Sequence, residues 1–331
     1  MSNQTNSDFN KALEILKPFG KKNIAKANWQ FFSTFILLWG SMTASFLLYE
    51  VHPYLSLIFI PISAALMCRS YVIEHDCGHQ SFYRKKVWNM MAGNMMAFPI
   101  MIPYSMWKYI HNSHHNNVGN LDRRDMNPEM LTMTVAEFKN APKYKQMVYR
   151  FLRSKFSRFF VAPIAIFGII FRFPNKRFSL ISNISVLMYD LLYALIIGAV
   201  LAHLPFVKIA LVYLFPLVIF FTIASYVFYA QHQFEDTYWE NEDNWSYQEA
   251  TFNGSTYLTA PKWFNWMSGN VVYHNIHHLI STIPNYNLEI AQEKLNNTLH
   301  FKPISIFDVY YLLNLKLWDE EKKKLVPFKD H

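Results

Sequence analysis

Residues 55–79 read LSLIFIPISAALMCRSYVIEHDCGH, a largely apolar run that ends directly in a His-x3-His pair, His75 and His79. The run is long enough for a bilayer crossing, which takes about 20 largely apolar residues. The two imidazoles at i and i+4 stack on one face of a helix that continues off it. Two further clusters follow, His111-Asn112-Ser113-His114-His115 and His274-Asn275-Ile276-His277-His278, in which rings at i, i+3 and i+4 share a face. Of thirteen histidines in the chain, eight lie in these three five-residue windows. A lone histidine is most often a satisfied core or surface residue. Clusters at helical spacing are instead the pattern of a metal site, because neutral imidazole is the commonest protein ligand for metals such as iron and zinc.

Three more apolar stretches complete a set of four candidate spans, at about 31–48, 55–72, 180–201 and 206–229. They pair into two hairpins, connected near Glu50-Val51-His52-Pro53 and His203-Leu204-Pro205. Lys and Arg number five before the first span, sixteen over 74–179 and eight after the fourth, while the two tight turns hold none and Lys208 lies just beyond the second. By the positive-inside rule, both termini and the long middle segment are expected on the cytoplasmic side. The expected fold is an all-α integral membrane protein. Four transmembrane helices in two hairpins join interfacial helices and a cytoplasmic cap from 74–179 and 230–331, with 1–30 as a cytoplasmic N-terminal segment and the whole of 1–331 as one domain. Residues 87–102 and 159–171 are apolar but broken by Asn and Gly or by Pro163, and read as helices in the interface or re-entering it.

Composition agrees. Of the 331 residues 52% are hydrophobic and only 16% charged, against about a quarter charged in soluble domains, yet the mean hydropathy is just +0.04. Apolar spans joined to a substantial polar part account for both. The net charge of +8 is spread over loops that flank the spans, which suits contact with lipid head groups, and no nucleic-acid motif accompanies it. Two cysteines, Cys68 and Cys77, make no disulfide framework or cysteine zinc site. The first residues lack the apolar core of a signal peptide, so insertion is expected to be directed by the spans.

All eight clustered histidines then fall on one side, and a ninth, His232, sits just past the fourth span and can join them. His52, His203, His300 and His331 are left out of the site. No Glu is followed by His three residues on, so the carboxylate-rich ligand set of soluble diiron bundles is absent and an all-nitrogen shell is expected. Glu74, Asp76, Glu235 and Asn270 are the nearby groups that can orient the rings by hydrogen bonding, or be solvated interfacial residues. Asp190, inside the third span, is either functional or a hydrogen-bonded acid packed against Tyr189 or Tyr193. Asp122-Arg123-Arg124-Asp125 reads as a ligand or donor contact or as a surface ion-pair cluster. The run from Asp319 to Lys324 reads as a solvated terminal face.

The three boxes, in type, order and spacing over roughly 30–310, resemble the membrane-bound fatty acid desaturases. The string from His75 to Phe82, the QHQFEDTYW string of 231–239, Gly269-Asn270 and Ile283-Pro284-Asn285-Tyr286 resemble the acyl-lipid, methyl-end branch related to delta-12 and omega-6 enzymes. The three-residue spacing in the first box departs from the acyl-CoA delta-9 branch. His274 and the lack of a His-Pro-Gly-Gly haem motif depart from front-end enzymes with a fused cytochrome b5. The resemblance implies a four-helix bundle whose cap holds two irons, with O2 as co-substrate. It also implies electrons from a separate ferredoxin or cytochrome b5-type carrier and a lipid-linked acyl substrate in preference to acyl-CoA or an acyl carrier. A diiron lipid hydroxylase on the same scaffold, and a histidine-rich metal-binding or transport protein, are the alternatives. Transport ligands are expected near the bilayer midplane, whereas these lie at span ends. A bacterial inner membrane is favoured over endoplasmic reticulum.

Overall fold

The computed structural model describes residues 3–124, 131–176, 178–299 and 301–330. Among the described residues, four helices are long and apolar enough to cross a bilayer: Ile24–Val51, Pro53–Gly78, Leu180–His203 and Phe206–His232. Each outruns the apolar stretch that predicted it. The second continues through His75 in its last turn, and the fourth ends on His232. The extra turns carry polar side chains that the hydrocarbon would reject, so chemistry-bearing residues stand on rigid helix ends. Local signals set the starts. Asn23 accepts a hydrogen bond from the Lys26 amide, Ser179 accepts from the Ser182 amide at 3.0 Å, and Pro53 opens the second helix with a tight turn.

The second helix is the centre of the bundle. Of its most apolar window 56% is buried, against 11% for the third. It packs on the first and fourth helices and on a shorter helix, Lys86–Ala97. Small polar residues let the first two helices approach: Ser41 and Ser63 hydroxyls meet at 2.9 Å, and the Ser56 hydroxyl donates to the Ser45 carbonyl at 2.9 Å. Leu66 and Met67 face Phe220 and Phe221 of the fourth helix in the main core. At the far end from the histidines, buried Lys208 pairs with Glu50 and lies 3.3 Å over the Phe46 ring.

The third helix takes its neighbours from Tyr104–Asn117 and from the segment ending at Arg172, more than from the fourth helix that follows it. Tyr189 donates to Asn94 Oδ1 at 2.9 Å and Tyr193 to the Phe98 carbonyl at 2.8 Å. Asp190 is held by the Arg172 guanidinium at 3.1 Å, which gives it a structural partner other than the two tyrosines considered from sequence.

Residues 87–102 form a helix over Lys86–Ala97 that ends at the Phe98–Ile100 turn. Lys143–Leu152 and Ser157–Arg172 meet at a 64° bend and together are apolar enough for a broken span or a re-entrant pair.

The chain is mostly helical, as expected, with a few short strands that the all-α expectation did not include. Outside the long helices, Met133–Thr134 runs parallel to Leu317–Asp319, which pairs antiparallel with Lys324–Val326, and Leu258–Thr259 runs parallel to Ile304–Ser305. These short ladders satisfy backbone groups where distant loops meet. Nor is the run 319–324 a plain solvated face. Asp319, 6% exposed, accepts from the Glu321 and Lys322 amides and closes the reversal between two strands. Arg123 forks onto Glu242 at 2.7 and 2.9 Å and Arg124 pairs with Glu137, so this part of the charged cluster is a loop latch. Asp125, His300 and His331 lie outside the described residues.

Candidate metal centre

Nine histidines meet at one end of the bundle, in two groups whose ring nitrogens lie within 4.8 Å of one another inside each group. The first holds His75, His79, His111, His115 and His277, and the second His114, His232, His274 and His278. Helix geometry explains the division. At 3.6 residues per turn, i+4 lies about 40° from i while i+3 lies about 60° to the other side. In each His-x2-His-His box the i and i+4 rings therefore serve one group and the i+3 ring is lent to the other. His111 and His115 join the first group and lend His114 to the second; His274 and His278 join the second and lend His277 to the first. The first box supplies only two rings, both to the first group. The second group is completed from elsewhere, by His232 on the last turn of the fourth helix.

The spacing fits metal ligation. Between neighbouring Nε2 atoms the distances are 3.1 Å for His111–His115, 2.9 Å for His115–His277, 2.9 Å for His232–His274, 3.1 Å for His274–His278 and 3.3 Å for His114–His278. For a metal–nitrogen bond of about 2.0–2.1 Å, ligands at right angles stand about 2.9 Å apart and tetrahedral ligands about 3.4 Å. A neutral imidazole has a single N–H, so this many close nitrogen pairs cannot all be hydrogen bonds. Nε2 of His75 and of His79 are also buried with no protein partner, a costly state unless a ligand takes the lone pair.

Burial keeps the rings ready. Desolvation, followed by neighbouring histidines, holds His79, His111, His114, His115, His274, His277 and His278 well below the usual imidazole range. They are thus neutral near pH 7 and can donate a lone pair.

Of the four residues expected to orient rings, Asp76 lies against one. Its Oδ1 lies 3.4 Å from His75 Nδ1, and its Oδ2 accepts from Asn285 N at 2.7 Å and Nδ2 at 2.8 Å. Asn270 acts at one remove, donating to the Asn285 carbonyl at 3.3 Å. Glu235 faces away: it is on the surface, pairing with Lys324 at 2.9 Å, because the chain turns out of the fourth helix after His232. Glu74 is buried next to His75, yet neither carboxyl oxygen has a hydrogen-bond partner, so it touches no ring nitrogen. Sequence reasoning missed Gly254, whose carbonyl accepts from His232 Nδ1 at 2.9 Å and so leaves Nε2 for a metal. A Cβ there would stand 2.3 Å from the Ala250 carbonyl, so the close helix end requires glycine. Asn285 was visible in sequence only as part of the string 283–286.

The glycine of the first box has a similar reason. A Cβ on Gly78 would stand 2.7 Å from the Trp107 ring. Trp107 stacks on His111 with centroids 4.7 Å apart and planes at 13°, and donates to the Tyr71 hydroxyl at 3.2 Å. The absent side chain therefore sets the tilt of a ring in the first group. Beside both groups lies a narrow cavity of about 50 Å³, bounded by Tyr71, Val72, Phe220 and Val227 and reaching His75, His111 and His274.

The family described as fatty acid desaturase matches residues 50–310. A protein named fatty acid desaturase from Bacillus subtilis (strain 168) is 33% identical over 300 residues, 91% of this chain and 85% of that one. An sn-1 acyl-lipid omega-3 desaturase (ferredoxin) from Nostoc sp. (strain 36) is 28% identical over 82% of this chain and 76% of its own. An sn-1 oleoyl-lipid 12-desaturase from Picosynechococcus sp. is 25% identical over 67% of this chain and 63% of its own.

Proposed function

The chain belongs to the fatty acid desaturase family of oxidoreductases, and from that premise we propose that it is an oxygen-dependent desaturase of lipid-linked acyl chains. The observation that carries the reading is the pair of all-histidine groups set against a narrow apolar cavity. His75, His79, His111, His115 and His277 would hold one iron and His114, His232, His274 and His278 the other. With O2 and two supplied electrons, two irons can remove vicinal hydrogens from an unactivated CH2–CH2 and leave a cis double bond. The rest is the chain's own contribution. Tyr71, Val72, Phe220 and Val227 hold methylenes by apolar contact and keep water out. Asp76 fixes the His75 tautomer, and the Gly254 carbonyl fixes that of His232.

Electrons come from a separate carrier, a ferredoxin or a cytochrome b5 type. The ferredoxin in the name of the Nostoc relative favours the first. Residues 1–331 act as one membrane domain in a bacterial inner membrane. Both termini and the metal site face the cytoplasm, as the Lys and Arg distribution supports. Parity supports the count of crossings. His114 and His232 rings lie 4.7 Å apart, so an even number of crossings separates them. The third and fourth helices are two, which leaves the bent pair 143–172 re-entrant.

The test is a double-bond-locating gas chromatography–mass spectrometry profile of cells expressing the parent chain or His278→Ala. A new olefinic acid seen only with the parent is expected. A new hydroxy acid would move the assignment to a hydroxylase.

A further inference from the structure

Arg69 is a cation inside the second long helix, six residues and so about 9 Å before His75. It is 9% exposed and has no carboxylate partner among the described residues. Its Nε donates to the Thr34 hydroxyl at 3.1 Å, Nη1 donates to the Trp266 carbonyl, and the guanidinium lies 4.5 Å over the Trp266 ring. An unpaired cation at this depth is costly unless it meets an anion from outside the chain. Its surroundings point to that anion. Arg69 opens into a cavity of about 430 Å³ that Lys26 and Lys262 also line, with Glu289 as the one carboxylate. At its rim Trp29 is 77% and Trp266 50% exposed, the amphipathic rings that settle at head-group level. Two of the residues lining it, Gln30 and Asn265, each carry a buried amide oxygen with no hydrogen-bond donor among the described residues.

The cavity is also tied to the metal centre. Gln30 Nε2 donates to Asn285 Oδ1 at 2.7 Å, and Asn285 donates twice to Asp76, the partner of His75. Cys68 and Ser268 line the narrow apolar cavity, while the next residues, Arg69 and Gly269, line this one, so one wall separates the two.

We propose that this cavity seats the phosphate head group of a membrane phospholipid, held by Arg69, Lys26 and Lys262, whose acyl chain is the one presented to the metal centre. The acyl-chain part rests on the desaturase reading; the head-group site does not.

The experiment is native mass spectrometry of the full-length protein in neutral detergent, titrated with short-chain phosphatidylglycerol, with diacylglycerol of the same chains, and with inorganic phosphate as competitor. The parent is expected to bind phosphatidylglycerol well ahead of diacylglycerol and to keep it against inorganic phosphate. Arg69→Gln should weaken phosphatidylglycerol binding about tenfold or more, the loss of a hydrogen-bonded charge, without changing diacylglycerol binding. Arg69→Lys should keep most of it. Lys262→Gln, at an exposed position that folding does not need, should weaken it about two- to fivefold. Equal binding of the two lipids, or unchanged binding in both Arg69→Gln and Lys262→Gln, overturns the site. Displacement by inorganic phosphate at matching affinity overturns the lipid assignment in favour of a free anion. Because binding is read without turnover, a parent that binds but yields no olefin when supplied with O2 and a ferredoxin or cytochrome b5 donor refutes the desaturase reading and leaves the head-group site standing.

Discussion

Asp76→Asn isolates the role of a residue that never touches a metal. The carboxylate accepts two hydrogen bonds from Asn285 at 2.7 and 2.8 Å and faces His75 Nδ1 at 3.4 Å. An amide of the same size has one acceptor oxygen. Asn285, with two donors close by, claims that oxygen and leaves the NH2 facing His75. The ring then keeps its contact only by accepting at Nδ1, which moves its proton to Nε2 and removes the lone pair aimed into the first group. Partners of this kind are worth about 10–100-fold in metal affinity, or about 1.4–2.7 kcal/mol. The second group shares no ligand with His75 and should keep its metal. The assay is iron per protein by plasma mass spectrometry over a chelator series, and the expected curve has two steps, one shifted by that factor and one unmoved. Parent-like retention of both irons, or equal loss from both groups, would refute the tautomer argument.

Gly78→Ala should push Trp107 off its stack with His111, costing about 1–3 kcal/mol of stability through overpacking; a parent-like melting curve in detergent would show that Trp107 yields freely. His232→Ala leaves the second group three rings, so metal content should fall from two toward one, while His52→Ala, whose ring meets only its own turn, should keep both. Acid should release metal and destabilise the fold. With seven rings held well below the ordinary imidazole value, the unfolded chain binds more protons than the folded one once pH drops below about 6.5. The stability these neutral rings confer is complete above that value and is lost as pH falls through it. Unchanged melting and metal retention well below about pH 6.5 would contradict this.

The four long helices were legible because hydrocarbon demands a composition that no other environment does, eight of the nine histidines because their spacing repeats the helical period, and His232 only from its place just past the fourth span. The division into five and four was not legible as written. Reading i, i+3 and i+4 as one shared face overlooked that i+3 and i+4 are about 100° apart, wide enough to face two different ions. Asp76 could be anticipated from adjacency, but adjacency misled at Glu235, where the chain leaves its helix and turns outward to Lys324. Gly254 and Asn285 were hidden for another reason: a carbonyl or an amide reaching a residue tens or hundreds of positions away leaves no local trace. Arg69 did leave one, a single cation in an apolar run, and the run's overall hydrophobicity masked it.

The third long helix touches the rest of the protein along a narrow strip anchored by Tyr189, Tyr193 and Asp190. Leucine and isoleucine side chains cover most of its remaining surface. Within the chain, then, this helix has few protein neighbours. In a bilayer, acyl chains would complete this wall, so the molecules that surround the enzyme as solvent would be of the same kind as those it is proposed to alter, and each double bond introduced would change, by a small step, the medium in which that helix stands.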